Sequence, residues 1–416
     1  MNEVDGMNDS LVTVDDVEAA HERIADVVHR TPLDTSRTFA NMSGAASVGL
    51  KLENVQRTGS FKIRGAYNRM AQLSAEEREA GVIASSAGNH AQGVALAGQL
   101  LDIETTIVVP EVTPAAKIEA TRGYGAEVVV EGEIYERSYE YALERAAETG
   151  ETFVHPFDDE AIIAGQGTIG LELLEQYPDL DTVLVAIGGG GLISGIGTVL
   201  KAHDPDIRVI GIQPEGAAHA KPSLEGDEIH ELEGVDTVAE GIADTRMLTK
   251  TFTVASEVVD DAVSVSDTEI ATGVTLLAER AKTVAESAGA APLAAALSDD
   301  LDLEGDHVGV VISGGNVNLT EHAELTRTGL HDLERYVDAR LAVSGWPTTV
   351  GDVVDAVESQ GAELDVLERA RRGADDHPNR TPVTVGLEGS GPEHLTDVLE
   401  ALDDLESVAV VEHSLE

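Results

Sequence analysis

Six short aliphatic runs, spaced by stretches of helical character, constrain this chain more than any other feature. They are Val82-Ile83-Ala84, Thr106-Ile107-Val108-Val109, Val128-Val129-Val130, Val183-Leu184-Val185-Ala186-Ile187, Val209-Ile210-Gly211-Ile212 and Val308-Gly309-Val310-Val311-Ile312. A strand that is apolar along its whole length is buried on both faces, which happens when helices cover both sides of a mainly parallel sheet. The alternation therefore predicts an α/β fold with doubly wound, mainly parallel sheets.

Both ends of the chain read differently. Residues 1–10 are acidic and without an apolar pattern, which predicts a disordered leader. Thr13 with Asp16 forms a capping-box signature for a helix through Val27 or Val28, ending before Thr31-Pro32-Leu33. Beyond residue 330 the pattern changes. Arg335 to Ser344 alternates as a strand, with Val337, Ala339, Leu341 and Val343 on one face. Thr348 to Gln360 reads as a helix, 362–372 and 380–388 as strands, Pro392 to Leu405 as a helix and Val408 to Val411 as a last strand. The order β-α-β-β-α-β is the ferredoxin-like split motif. The expected division is a leader at 1–10, a main domain at 11–328 with a small lobe at roughly 55–155, a linker near 326–333, and a C-terminal domain at 332–416.

Composition excludes several classes. Among 416 residues the chain has 77 acids against 27 Lys and Arg, a formal charge of −50, with 7 lysines and 20 arginines. Nucleic acid and anionic membranes would be repelled. Acid spread along the whole chain suits a protein working in concentrated salt, where the Debye length falls to about 3 Å at 1 M; the alternative is a very acidic mesophilic protein. There is no cysteine, so disulfides, thiolate nucleophiles and Cys-ligated zinc are absent. No apolar run reaches the roughly 20 residues of a membrane span, and the N-terminus has no secretory h-region, so a cytoplasmic location is expected.

Four short segments carry the chemistry. Arg57-Thr58-Gly59-Ser60-Phe61-Lys62-Ile63-Arg64-Gly65 places a lysine between two apolar residues. Such an amine is either a surface lysine snorkelling from a helix start or a buried amine, costly unless it is used. Gly188-Gly189-Gly190-Gly191-Leu192 joins a strand to a helix, where backbone amides can converge on a phosphate; the plain alternative is a flexible turn. Ser86-Ala87-Gly88-Asn89-His90 follows a strand, so Asn89 either donates to a ligand oxygen or shapes a turn. Ser313 ends a buried strand, where sheet enzymes keep their sites, or satisfies local backbone. Together an amine, an asparagine, a glycine cradle and a hydroxyl are what a protein needs to hold pyridoxal 5′-phosphate (PLP). His90 and His155 are acid–base candidates or structural histidines. Gly165-Gln166-Gly167-Thr168-Ile169-Gly170 spells a dinucleotide fingerprint, but no strand leads into it, so its glycines are read as packing residues. There is neither a Gly-Lys-Ser/Thr phosphate loop nor a His-Glu-x-x-His zinc motif.

These motifs resemble those of the threonine ammonia-lyase (threonine dehydratase) family of fold-type II PLP enzymes, over roughly residues 12–330. Ser60 to Ala66 is similar to the family's lysine motif, Ser86 to Gly93 to its substrate-carboxylate loop, and Ala164 to Thr168 to a further signature. The resemblance implies a tryptophan synthase β-like fold. It implies that Lys62 holds PLP and removes the substrate's α-proton, and that Phe61 packs on the cofactor. It further implies that Asn89 binds the phenolic oxygen, Gly188, Gly189, Gly190, Gly191 and Leu192 bind the phosphate, Gly241 lies near the ring, and Ser313 meets the pyridine nitrogen. Ser86, Ala87, Gly88, Asn89 and His90 would receive the substrate carboxylate. The implied reaction is α,β-elimination from L-threonine to 2-oxobutanoate and ammonia.

Departures from the family pattern refine the reading. Related serine racemases carry a serine where this chain has Ala87, which favours a dehydratase. The stretch matching a divalent-metal cluster in some relatives reads Gln213 to His219, and no metal site is assigned. The usual Glu-Pro-Ser-Gly is Glu286-Ser287-Ala288-Gly289, with Glu286 expected near the cofactor ring. The C-terminal segment resembles an ACT domain, which implies an isoleucine or valine effector, or a dimerisation module without ligand; Ser344-Gly345-Trp346-Pro347 replaces the usual turn. A homodimer or homotetramer is expected. The rival readings are an L-serine dehydratase or serine racemase-like enzyme, a β-replacement enzyme, and a non-catalytic amino-acid sensor.

Overall fold

The computed structural model describes residues 10–374 and 376–415. Residues 1–9, most of the expected leader, lie outside the described residues, and Ser10 is tied by its hydroxyl to Glu257. The chain forms two compact units that divide between Leu319 and Thr320.

The first unit contains two sheets. The larger is built from β1 (Leu33–Thr35), β2 (Ser47–Leu52), β7 (Thr182–Ala186), β8 (Arg208–Pro214), β9 (Asp261–Val265) and β10 (His307–Ile312), in the order β1-β2-β10-β7-β8-β9. All neighbours are parallel except β1 and β2. The smaller is β3 (Val82–Ser85), β4 (Thr105–Val109), β5 (Glu127–Val130) and β6 (Thr152–Phe153), in the order β5-β4-β3-β6 and wholly parallel. All six runs read as buried strands are strands here. The fold is the expected α/β arrangement with mainly parallel sheets.

Four strands of this unit escaped the sequence reading, β1 and β6 because they span only three and two residues, and β2 and β9 because their patterns are broken. In β2 the interior is interrupted by Lys51, and in β9 by Ser264, so neither shows an unbroken apolar run. Lys51 is nevertheless fully buried. It shares Glu172 with Arg64, whose guanidinium also takes Glu53 in two parallel contacts of 2.8 Å. Two cations and two anions are thus sealed together, joining β2 to the helices Lys62–Ala71 and Glu160–Gln176. Burial pushes the Glu172 carboxyl up, but Arg64 and Lys51 outweigh it, so the group sits below the usual carboxylate range.

The helix Glu160–Gln176 runs unbroken through the Gly165–Gly170 segment. A Cβ on Gly165 would lie 2.6 Å from the Cα of Gly65, and one on Gly195 would lie 2.3 Å from the Ile163 carbonyl. These glycines let three helices touch backbone to backbone, and the dinucleotide spelling reflects packing.

The N-terminal helix is Val14–Ile24, with the Thr13–Asp16 capping box formed. It ends earlier than expected, because the amides of Val27 and Val28 both turn back to the Ile24 carbonyl. The expected linker near 326–333 is instead mostly helical, within Leu319–Asp332. Its threonines and glycine have low helix propensity, but the Thr326 and Thr328 hydroxyls bond carbonyls four residues back.

The second unit holds β11 (Tyr336–Val343), β12 (Glu363–Arg369), β13 (Thr381–Glu388) and β14 (Val410–His413), with helices Val350–Gln360 and Pro392–Asp403. Its element order is the expected β-α-β-β-α-β, and its antiparallel sheet runs β12-β13-β11-β14. Val337, Ala339, Leu341 and Val343 face a core completed by Val353, Val357, Leu395 and Val398.

Truncating one member of the buried charge quartet leaves uncompensated charge in the interior. Glu172→Ala should cost about 3–5 kcal/mol of unfolding free energy, read as a lower denaturant midpoint; a change within about 0.5 kcal/mol would remove the quartet's structural role.

Candidate active site

The approach to Lys62 is shaped by its backbone. Thr58 and Gly59 both adopt left-handed conformations, with φ of 62° and 70°. Ser60 then bridges to Gly314 just beyond β10. The Phe61 amide donates to the Ser313 carbonyl at 3.2 Å, the Gly315 amide to Gly59 at 2.9 Å, and the Asn316 side chain to Thr58 at 2.6 Å. These bonds tie the start of the Lys62–Ala71 helix to the C-terminal rim of the large sheet, the rim where α/β folds place ligands.

The Lys62 amine donates to the Pro156 carbonyl at 3.1 Å and lies 5.2 Å from the centre of the Phe61 ring. Burial holds it below the usual lysine range, against the opposing pull of Asp244 and Glu286. The neighbouring Phe157 packs on the glycine segment. A Cβ on Gly189 would lie 2.3 Å from the Phe157 ring, so no larger residue fits there, and Gly190 has φ of 89°. Gly188 to Gly191 follow β7 and open the helix Gly191–His203, with Leu192 buried behind them. The amine and the cradle thus meet at one place, through Pro156 and Phe157.

Asn89 opens the helix Asn89–Leu101 after β3. Its amide donates to Glu286 at 2.6 Å, and its oxygen accepts from Asn316 at 2.7 Å. Glu286 precedes the helix Ser287–Leu297, and the nearby Asn316 backbone amide favours its charged form. Burial pushes its carboxyl up to about 7. Gly241 lies in a tight turn, where an added Cβ would be 3.8 Å from Glu286 Oε1 and 3.1 Å from Ala288. Ser313 is buried directly after β10. In the Ser86 to Gly88 loop, the Gly88 amide donates to the Ser86 hydroxyl at 3.2 Å, and Ala87 packs on the small-lobe core.

Both histidine candidates serve the framework. His90 is buried with Nε2 against the Val154 carbonyl at 2.9 Å, and burial drives it down to about 3. His155 accepts the amides of Phe157 and Asp158 on Nδ1, and burial drives it down to about 4. Neither carries a proton to spare at neutral pH. Gln213 is a strut, donating to Ile187 and accepting from Ala220. His219 is buried and pushed down to about 4. Among the described residues no group of three His, Cys, Asp or Glu side chains is arranged for a metal ion.

The sequence reading assigned no role to Asp244, Asn316 or Tyr135. Asp244 sits against Gly188 and Gly189. Tyr135 lies at the head of the helix Tyr135–Thr149, with its hydroxyl 3.5 Å from the Ser85 carbonyl. Neither belongs to a motif; only the Asn316 signal was available, in the Ser313-Gly314-Gly315-Asn316 that follows β10.

The residues fit PLP. The cradle excludes side chains, its amides head a helix of 13 residues suited to a phosphate, and the depressed amine stands beside it. A family model described as pyridoxal-phosphate dependent enzyme matches residues 24–314. The chain belongs to this family of PLP enzymes. It is 44% identical over 354 residues to an L-threonine ammonia-lyase of Thermotoga maritima, covering 85% of this chain and 88% of that protein. Among solved structures, the processed form of threonine deaminase isoform 2 from Solanum lycopersicum aligns with a TM-score of 0.73 at 36% identity, over 76% of this chain and 92% of that one. A serine racemase from maize aligns with a TM-score of 0.73 at 37% identity, over 77% and 99%.

Glu286 gives the fold a pH signature. Its folded-state affinity for a proton exceeds its unfolded one, so stability is greatest below the ordinary glutamate value and declines as pH rises from about 4.5 to about 7. Glu286→Gln should flatten that part of the melting-temperature profile of the cofactor-free protein; an unchanged slope would show that Glu286 does not titrate there.

Proposed function

We propose that this protein is a PLP-dependent L-threonine ammonia-lyase, releasing 2-oxobutanoate and ammonia. The observation that carries the reading is a lysine of lowered proton affinity joined through Pro156 and Phe157 to a four-glycine cradle at a sheet rim. Lys62 would hold the cofactor through its Nζ, and the amides of Gly188 to Leu192 would take the phosphate. When bound, PLP supplies an electron sink for cleavage at the α-carbon. Lys62, as a free base, accepts the α-proton at Nζ. The backbone of Ser86 to His90 would orient the substrate carboxylate, and Asn89, braced by Glu286 and Asn316, would meet the phenolic oxygen. Phe61 and Gly241 would lie beside the cofactor ring. Ser313 would offer the pyridine nitrogen a hydroxyl rather than a carboxylate, an environment that would favour the unprotonated nitrogen and elimination over repeated proton exchange. The absence of a hydroxyl at Ala87 supports the same choice over racemisation.

L-serine is the rival substrate, since one methyl separates the two by only about 1–3 kcal/mol. Oxo-acid release, measured as kcat/KM for both amino acids in concentrated salt, decides between them. Lys62→Ala should abolish turnover and the visible absorbance of bound cofactor together; turnover in that variant would remove the assignment.

The second unit is proposed as an ACT-like, ferredoxin-like module answering to isoleucine or valine, in a homodimer or homotetramer. Its βαββαβ order and packed core support that reading. Adding either amino acid should shift the threonine saturation curve; superimposable curves would leave the unit without an effector role.

A further inference from the structure

The cradle contains an anion of its own. Asp244 lies in the loop after Gly241, and that loop is pinned to the cradle on both sides of it. Ile242 packs on Gly188, where an added Cβ would lie 3.0 Å from the Ile242 Cα, and Met247 packs under Gly190, with its sulfur 3.2 Å from the corresponding position. Between these anchors the carboxylate of Asp244 is held with Oδ2 2.6 Å from a Cβ position on Gly188. The Gly189 amide lies near enough to favour its charged form. The segment that heads the phosphate cradle therefore already has a carboxylate against it.

A phosphate dianion and an ionised carboxylate cannot share such a site without strong repulsion; like charges raise the proton affinity of one another. The other charged or titratable groups nearby do not cancel the conflict. Lys62 acts on Asp244 from its helix and Tyr135 from the head of its own. His219 stands behind Gly188 and is neutral, and Arg246 on the same loop is paired with Glu231. Burial already raises the Asp244 carboxyl, while Lys62 and the Gly189 amide oppose it.

We infer that Asp244 is a proton-holding member of the cofactor site, whose carboxyl takes up a proton when the phosphate group of PLP enters the cradle and then donates a hydrogen bond to it. The inference rests on the cofactor reading above. No bond other than the O–H bond is formed, and the proton comes from solvent.

The test uses the full chain freed of cofactor and titrated with PLP, and with pyridoxal, which lacks the phosphate. Calorimetry in buffers of different ionisation enthalpy counts protons. At about pH 8 the wild type should take up about one more proton with PLP than with pyridoxal, and Asp244→Asn should lose that difference. Between about pH 6 and 9 the PLP dissociation constant of the wild type should rise relative to that of Asp244→Asn, by up to about tenfold per pH unit. Equal proton counts for PLP and pyridoxal in the wild type overturn the inference without involving any variant. Parallel affinity profiles for wild type and Asp244→Asn also overturn it, while leaving the cofactor reading intact. Failure of the wild type to bind PLP at all overturns both.

Discussion

Two positive and two negative side chains, buried together, help fix the helix that carries the Lys62 amine. Lys51 in β2, Glu53 just after it, Arg64 two residues beyond Lys62 and Glu172 on the helix Glu160–Gln176 satisfy one another with almost no solvent. Each charge alone would be expensive in that setting, and their arrangement is tolerable only in one geometry. The helix carrying Lys62 is therefore fixed from beneath by charge and from above by the bonds linking Gly59, Phe61, Ser313 and Gly315. The amine has little freedom left when it reaches Pro156.

Around that fixed point the site is assembled from segments far apart in sequence. The strands β3, β7 and β10 deliver the Ser86 to Asn89 loop, the glycine cradle and Ser313 from their C-terminal ends. Asn316, Asn89 and Glu286 then form a continuous chain of hydrogen bonds across three segments. This bracing holds the Asn89 side chain between two other segments instead of leaving it to shape its own turn.

Much of this was legible in the residues, and the exceptions have physical causes. Strands buried on both faces announce themselves by unbroken apolar runs, and β3, β4, β7, β8 and β10 did so. Strand β2 did not, because its central lysine is neutralised by Glu172, a partner 121 positions away that periodicity cannot show. The Leu319–Asp332 helix was obscured by threonines whose hydroxyls stay within the helix. The cradle, the lysine and the asparagine were visible as motifs. Asp244 was invisible, because its importance comes from the folding of its loop onto glycines more than 50 residues earlier in the chain. The C-terminal alternation was plain, since one face of that antiparallel sheet is apolar and the other polar.

The backbone contacts of Gly165 with Gly65, and of Gly195 with Ile163 and Gly167, have a further consequence. Where main chains meet with no side chain between them, a replacement cannot be absorbed by repacking a neighbour, since there is no neighbouring side chain to repack. A methyl at Gly195 would fall 2.3 Å from the Ile163 carbonyl, and one at Gly165 would fall 2.6 Å from the Cα of Gly65. Three helices are thereby locked in mutual register like the teeth of a gear. A substitution at that junction would therefore have to move whole helices rather than single side chains.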